Sequence, residues 1–246
     1  MDGSKRHKVG KEAEAISGTS DSTECNSCSE SASEMSSSDG VAYEVVDLSL
    51  SNRLDVSIIV DQSRILPSSE ELLSVFVNSK VLVSGDVVLS FCGFLQLSRI
   101  LSMAQKKLKK AFNSLIAAGA LDGINRDDIY IFYTERAVNI PLEMILDQYR
   151  SLSFANLRHI IFISRIKACM GMEMKDLVED FKEYSPLDLN HRPVRGEEIL
   201  LLSSYMAKKQ VVVNSNTFRL FLLDSQMFAS FISLFEKELS EITQNK

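Results

Sequence analysis

Residues Asp127–Leu152, DDIYIFYTERAVNIPLEMILDQYRSL, decide how the rest of this chain is read. Ile129, Tyr130, Ile131, Phe132 and Tyr133 are β-branched or aromatic without a break, which predicts a strand. Thr134-Glu135-Arg136 forms a polar corner, and Asn139-Ile140-Pro141 opens a helix. Asn139 is the expected N-cap, and Pro141 falls in the first turn, where a missing N–H costs no intrahelical bond. The stretch holds no catalytic triad, metal box or glycine-rich phosphate loop.

Working outward, His159–Ile166 (HIIFISRI) is close to continuously apolar and predicts a central strand covered on both faces. Upstream, Val81–Val83, Ser84-Gly85-Asp86 and Val87–Phe91 read as a hairpin turned at Gly85. A long helix is expected over Ser98–Ala118, with Leu101, Leu108, Phe112, Leu115 and Ile116 as its apolar stripe and Gly119 as its C′ residue. Its cluster Lys106, Lys107, Lys109 and Lys110 is read as a solvated helix face, ahead of a docking patch. Nearer the start, a strand is expected over Tyr43–Leu50. Within Arg53–Leu66, Leu54, Ile58 and Ile65 suit the buried side of a helix and Val56–Val60 would suit a strand; the helix is preferred. A second helix opens at Pro67–Glu71 and buries Leu72, Leu73, Phe76 and Val77. Towards the end come a short helix within Met170–Arg195, a helix over Glu197–Ala207, strands at Gln210–Val213 and Phe218–Leu223, and a helix over Ser225–Leu239. The order predicts an α/β fold, a mixed β-sheet flanked by helices on both faces.

A chain of 246 residues with 45% apolar and 24% charged residues is sized for one folded body plus a tail. The net charge of −6 is uneven: residues 1–40 carry −4 and the remaining body −2. A near-neutral body argues against a strong nucleic-acid footprint. No run approaches the ~18–20 apolar residues of a membrane span, and four cysteines are too few for a disulfide scaffold. A soluble intracellular protein with reduced thiols is expected. Residues 1–42 are read as a disordered tail, because the serine-rich, acidic stretch Ser17–Ser38 has almost no aliphatic surface to bury. Ser27, Ser31 and Ser36 each precede an acid by three residues (Glu30, Glu34, Asp39), the pattern of acidophilic kinases. Cys25 and Cys28 have no second Cys/His pair at zinc spacing, and Lys5–Lys8 is a basic start with some character of an import signal.

The corner Thr134–Pro141 resembles the signature of the BCCIP family, which runs roughly S/T-E-R-x-x-N-M/I-P before a helix ending in a tyrosine; Tyr149 stands at that place. Val45–Leu48 is similar to the family's opening strand, Val87–Leu97 (VVLSFCGFLQL) to its G-F/C-x-S-x-L-N-L strand, Phe162–Arg165 to its I-I-V-S/T-R strand, and Phe218–Asp224 (FRLFLLD) to its closing strand. The resemblance spans residues 43–240 in order, which makes 43–246 one BCCIP-like domain. The family's charged insertions in the hairpin and after the I-S-R strand are largely missing, and Leu142 replaces its second proline.

The resemblance implies the fold of GCN5-related acetyltransferases, and with it a sharp alternative. Those enzymes cradle acetyl-CoA with a Q/R-x-x-G-x-G/A loop. Here Cys92–Arg99 has one glycine among bulky neighbours, and Thr134–Asn139 has none. Glu135, Glu143 and Tyr149 are an acid and base set on paper only; structural roles are expected, with Glu135 and Arg136 as a polar pair at the corner. No catalytic residue, cofactor or metal is expected. The resemblance implies a nuclear carrier and chaperone, with shuttling to the cytoplasm left open, for a basic client, a large-subunit ribosomal protein, acting in ribosome biogenesis and export. A scaffold in cell-cycle or DNA-repair complexes is the other reading it leaves.

Overall fold

The β-branched and aromatic runs join a single mixed sheet in the computed structural model, which describes residues 35–36, 42–63, 65, 72–137, 139–168 and 191–244. Its strands are β1 (Met35–Ser36), β2 (Ala42–Asp47), β3 (Phe76–Ser84), β4 (Val87–Gln96), β5 (Ile129–Arg136), β6 (His159–Ala168), β7 (His191–Pro193), β8 (Ala207–Val213) and β9 (Asn216–Asp224). The order across the sheet is β1-β2-β3-β4-β5-β6-β9-β8, with β7 on β6. The pair β5–β6 is parallel; every other neighbouring pair is antiparallel.

Alternation along each strand divides the core in two. On one face Phe91, Leu95, Ile131, Ile161 and Leu220 pack under α1 (Arg53–Ser63), α2 (Leu97–Met103) and α3 (Lys106–Ala118). On the other, Cys92, Phe94, Phe132, Phe162 and Phe221 meet α4 (Leu142–Arg150), the 3-10 helix Gly196–Ser203 and α5 (Ser225–Gln244). Phe132 is the hub of the second core, with ring centroids of Phe94, Tyr149, Phe162 and Phe228 at 5.0–5.4 Å, distances at which tilted and edge-on aromatic contacts are favourable. Asp224 closes β9 and starts α5: its Oδ1 accepts the Met227 N–H at 2.7 Å, an N-cap bond. The expected layers are therefore present, with Phe228, Phe231, Ile232 and Phe235 of α5 inward as read.

Several local expectations are corrected. The long helix over Ser98–Ala118 is two helices, because Ala104 and Gln105 are both extended (ψ 152 and 148). The break lets α2 cover the ends of β4 and β5 while α3 lies along β8 and β9. Gly119 has an ordinary φ of −85, and Ala120 takes the left-handed conformation instead. Gly119 is needed for space: a Cβ there would sit 2.3 Å from Leu222 Cδ2. α1 is a helix as read, but it buries Val56 and Val60 and leaves Leu54 and Ile58 73% and 56% exposed. β3 starts at Phe76, so Phe76 and Val77 are strand residues and Val77 is exposed. The first long strand ends at Asp47, β8 begins at Ala207, and the segment before it is a 3-10 helix. β1 lies inside the stretch read as tail, and its Ser36 pairs with Ala42. The short helix expected within Met170–Arg195 lies mostly outside the described residues, as do Ser27, Ser31, Cys25, Cys28 and Lys5–Lys8.

Candidate functional site

β4 and β5 stay paired from Gln96↔Tyr130 to Ser90↔Arg136, whereas β5 and β6 pair only from Ile129↔His159 to Phe132↔Phe162. Beyond that point the two parallel strands part. In open α/β sheets the crevice at the carboxyl ends of such strands is where ligands bind. Here the chain itself enters. β7 takes the edge of β6 that β5 has left, Ile166↔Pro193 to Ala168↔His191, and the Val194 N–H donates to the Arg165 carbonyl at 2.7 Å. Arg195 follows, and the 3-10 helix buries Ile199, Leu200, Leu201 and Leu202 against the α4–α5 core.

That segment brings charge with it. Arg195 donates to Glu135 Oε2 at 2.6 Å and to Glu198 Oε1 at 3.2 Å, bridging β5 to the segment. Ser164 Oγ of β6 donates to Glu198 Oε2 at 2.5 Å. Arg136 grips Glu197 with both guanidinium nitrogens, at 2.9 and 3.0 Å. The split is thus closed by a set of three carboxyls and two guanidiniums that ties β5, β6 and residues 195–198 together. Burial pushes the Glu198 carboxyl up to about 7, with Glu197 adding repulsion against the pull of Arg195 and the Ser164 bond. Glu135 is also raised by burial, although Arg195 opposes the shift. Burial alone would lower Arg195, but Glu198 and Glu135 outweigh it and keep the guanidinium charged.

Next to this set, Tyr149 is fully buried and its hydroxyl donates to Thr134 Oγ1 at 3.3 Å. Burial raises its pKa far above the ordinary phenol value. Gln148, also fully buried, accepts from Ser90 Oγ at 2.8 Å and donates to the Lys80 carbonyl at 3.0 Å, fastening α4 to β3 and β4. Of the residues singled out in sequence, Glu135, Arg136 and Tyr149 converge here. Glu135 and Arg136 are not each other's partners; each reaches across the split to a different residue. Asn139 is exposed at φ +64 and does not cap α4; that place belongs to Pro141, whose extended backbone precedes Leu142. Proline disfavours a helical residue before it, and asparagine tolerates the left-handed turn that results. Glu143 is exposed on α4, away from Tyr149 and Glu135.

Sequence reading missed Arg195, Glu197, Glu198, Ser164 and Gln148. One signal was available: Arg195-Gly196-Glu197-Glu198 runs straight into Ile199–Leu202, so the acids must follow the apolar run inward and need cationic partners. Gly93, the single glycine of the Cys92–Arg99 stretch, lies inside β4; a Cβ there would meet Phe76 and Ser79 at 2.9 Å. Its bareness serves the approach of β3 at the register shift between Val77 and Lys80. Cys92 is buried, and burial raises its thiol pKa, which keeps it unreactive. Among the described residues no group of His, Cys, Asp or Glu converges as metal ligands, and no helix is long and apolar enough to cross a membrane.

No family model matches the chain, and no curated protein matches it in sequence. Among solved structures it is similar to BCP1 from Saccharomyces cerevisiae (TM-score 0.46, 13% identity, over 83% of this chain and 92% of that one). An uncharacterized protein from Bacillus halodurans is similar at TM-score 0.39 and 10% identity, over 85% of this chain and 97% of that one. An N-acetyltransferase from Staphylococcus aureus Mu50 follows at TM-score 0.36 and 7% identity, over 74% and 98%.

Proposed function

We propose that this protein is a non-enzymatic nuclear carrier and chaperone that shields a basic client, a large-subunit ribosomal protein, before assembly and during export. The observation that carries the non-enzymatic part is the closed split. Where an α/β sheet of this kind offers a ligand crevice, Arg195 and the 3-10 helix Gly196–Ser203 fill it and bond to both flanking strands. The client class follows from the BCCIP resemblance of residues 43–240 and from the acidic character of residues 1–40. Negative charge on that segment steers encounter with a basic protein, and the folded body supplies selectivity through shape. Phosphorylation at Ser27, Ser31 or Ser36 would strengthen that steering.

Co-expression with large-subunit ribosomal proteins of the same organism, one at a time, tests the reading. A single client that aggregates alone and co-purifies in a stoichiometric complex is the expected result; no co-purifying client would contradict it. Deleting residues 1–40 should slow association and flatten its salt dependence, whereas an unchanged on-rate would remove the steering role. Titration with acetyl-CoA should give no saturable binding.

A further inference from the structure

At the β8 edge of the sheet a second charged region has the opposite character. α3 begins Lys106-Lys107-Leu108-Lys109-Lys110, and Leu108 alone of these five is buried. Lys106, Lys107 and Lys110 are exposed; Lys109 donates to the Ser102 carbonyl at 3.3 Å. The first turn contains no acid, and the N-cap residue Gln105 places no side chain on the free N–H groups. Its amide donates instead to Asn214 Oδ1 at 3.2 Å, anchoring this end of α3 to the β8–β9 turn. α3 packs along β8, where Ala207, Val211 and Val213 point into the core beneath it. Lys209 shares their parity, so its exposed ammonium emerges beside α3. Among the described residues none of Lys106, Lys107, Lys110 and Lys209 is paired with a carboxylate.

This placement opposes stability. Cations at a helix N-terminus meet the positive end of the helix dipole, and here they also repel one another. The region is not a by-product of general basicity, since the chain carries a net charge of −6. A fold gains nothing from such a cluster, whereas a partner bearing carboxylates gains at each contact. The chemistry also selects the class of partner. The cluster contains no guanidinium fork for bidentate contacts, and none of the large apolar side chains exposed among the described residues is aromatic, so base stacking adds little to its charge. Compact ammonium groups on flexible stems suit the carboxylates of an extended chain. We propose that the lysine face of α3 and β8 docks an acidic, extended segment of a partner protein.

Fluorescence anisotropy of the full-length protein with a labelled peptide of alternating glutamate and serine tests this. Saturable binding that weakens as salt is raised is expected. The triple variant Lys106→Glu, Lys107→Glu, Lys110→Glu should bind roughly tenfold or more weakly while melting no lower than the parent. Lys237→Glu, on α5, should bind as the parent does. Absence of saturable binding, equal binding by the triple variant, or tighter binding of a single-stranded RNA of matched charge would each overturn the proposal.

Discussion

The β5–β6 split and the start of α3 each concentrate charge, yet they treat it in opposite ways. In the split, Arg136 and Arg195 are largely enclosed, with side chains 14% and 13% exposed, and each is bonded across the split, Arg136 to Glu197 and Arg195 to Glu135. At α3, lysines stand exposed against a helix dipole with no acid in the first turn. Enclosed charge that is paired fixes one arrangement of the chain, because removing one partner leaves the other stranded. Exposed charge that is unpartnered holds nothing in place and remains available to another molecule. The contrast teaches which residues of this protein belong to its architecture and which to its surface chemistry.

The sharpest way to break the comparison is Arg195→Met. It leaves the buried Glu198 and the half-buried Glu135 without their guanidinium and should cost about 3 kcal/mol in urea unfolding. The triple change Arg195→Met, Glu135→Gln, Glu198→Gln removes Arg195 together with both of its carboxylate partners, leaving the Arg136–Glu197 pair, and should recover much of that loss. A single variant within experimental error of the parent would mean that the split is open to water.

A pH series gives the next largest effect. The unfolded Glu198 releases its proton near 4.5, and the folded one holds it to about 7. Between those values the unfolded state binds fewer protons, so stability falls as pH rises through the window and then levels off. The change is about 3 kcal/mol by linkage, and Glu135, raised in the same direction, adds to it. Glu198→Gln should flatten the slope in thermal melts taken from pH 4.5 to 7.5; an unchanged slope would assign it to other groups.

Gly93→Ala probes the neighbouring strand pair. Its Cβ would press on Phe76 and Ser79, and a loss of about 1–3 kcal/mol is expected from overpacking. A neutral outcome would show that the register shift in β3 has slack. The smallest effect sharpens the comparison from the other side: reversing Lys106, Lys107 and Lys110 should raise the melting temperature slightly, because the helix dipole no longer opposes them. A clear drop would mean that those lysines stabilise the fold.

Much of the sheet was legible in the sequence because apolar β-branched and aromatic runs leave little else for the backbone to do. His159–Ile166 as a central strand, the Gly85 hairpin and the inward face of α5 all follow from side-chain type and spacing. The break at Ala104-Gln105 was not legible, since neither residue is a helix breaker and the helices part to cover different strands. α1 gave the right element with the wrong face: Val56 and Val60 alternate with Leu54 and Ile58, and only the position of β4 and β5 decides which pair is covered. The site was half legible. Glu135, Arg136 and Tyr149 stood out through the signature corner, but Arg195 and Glu197, the partners of Glu135 and Arg136, lie about 60 residues on, and nothing local joins them.

Hydrogen exchange along residues 191–203 tests most directly whether the split is closed. The Val194 N–H is bonded to the Arg165 carbonyl within the ladder that β7 adds to β6. If the segment is part of the core, that amide and those of the 3-10 helix should exchange as slowly as the amides of β9. Exchange as fast as that of an exposed loop, with β6 and β9 still protected, would show that the segment leaves the split and that a ligand crevice opens there.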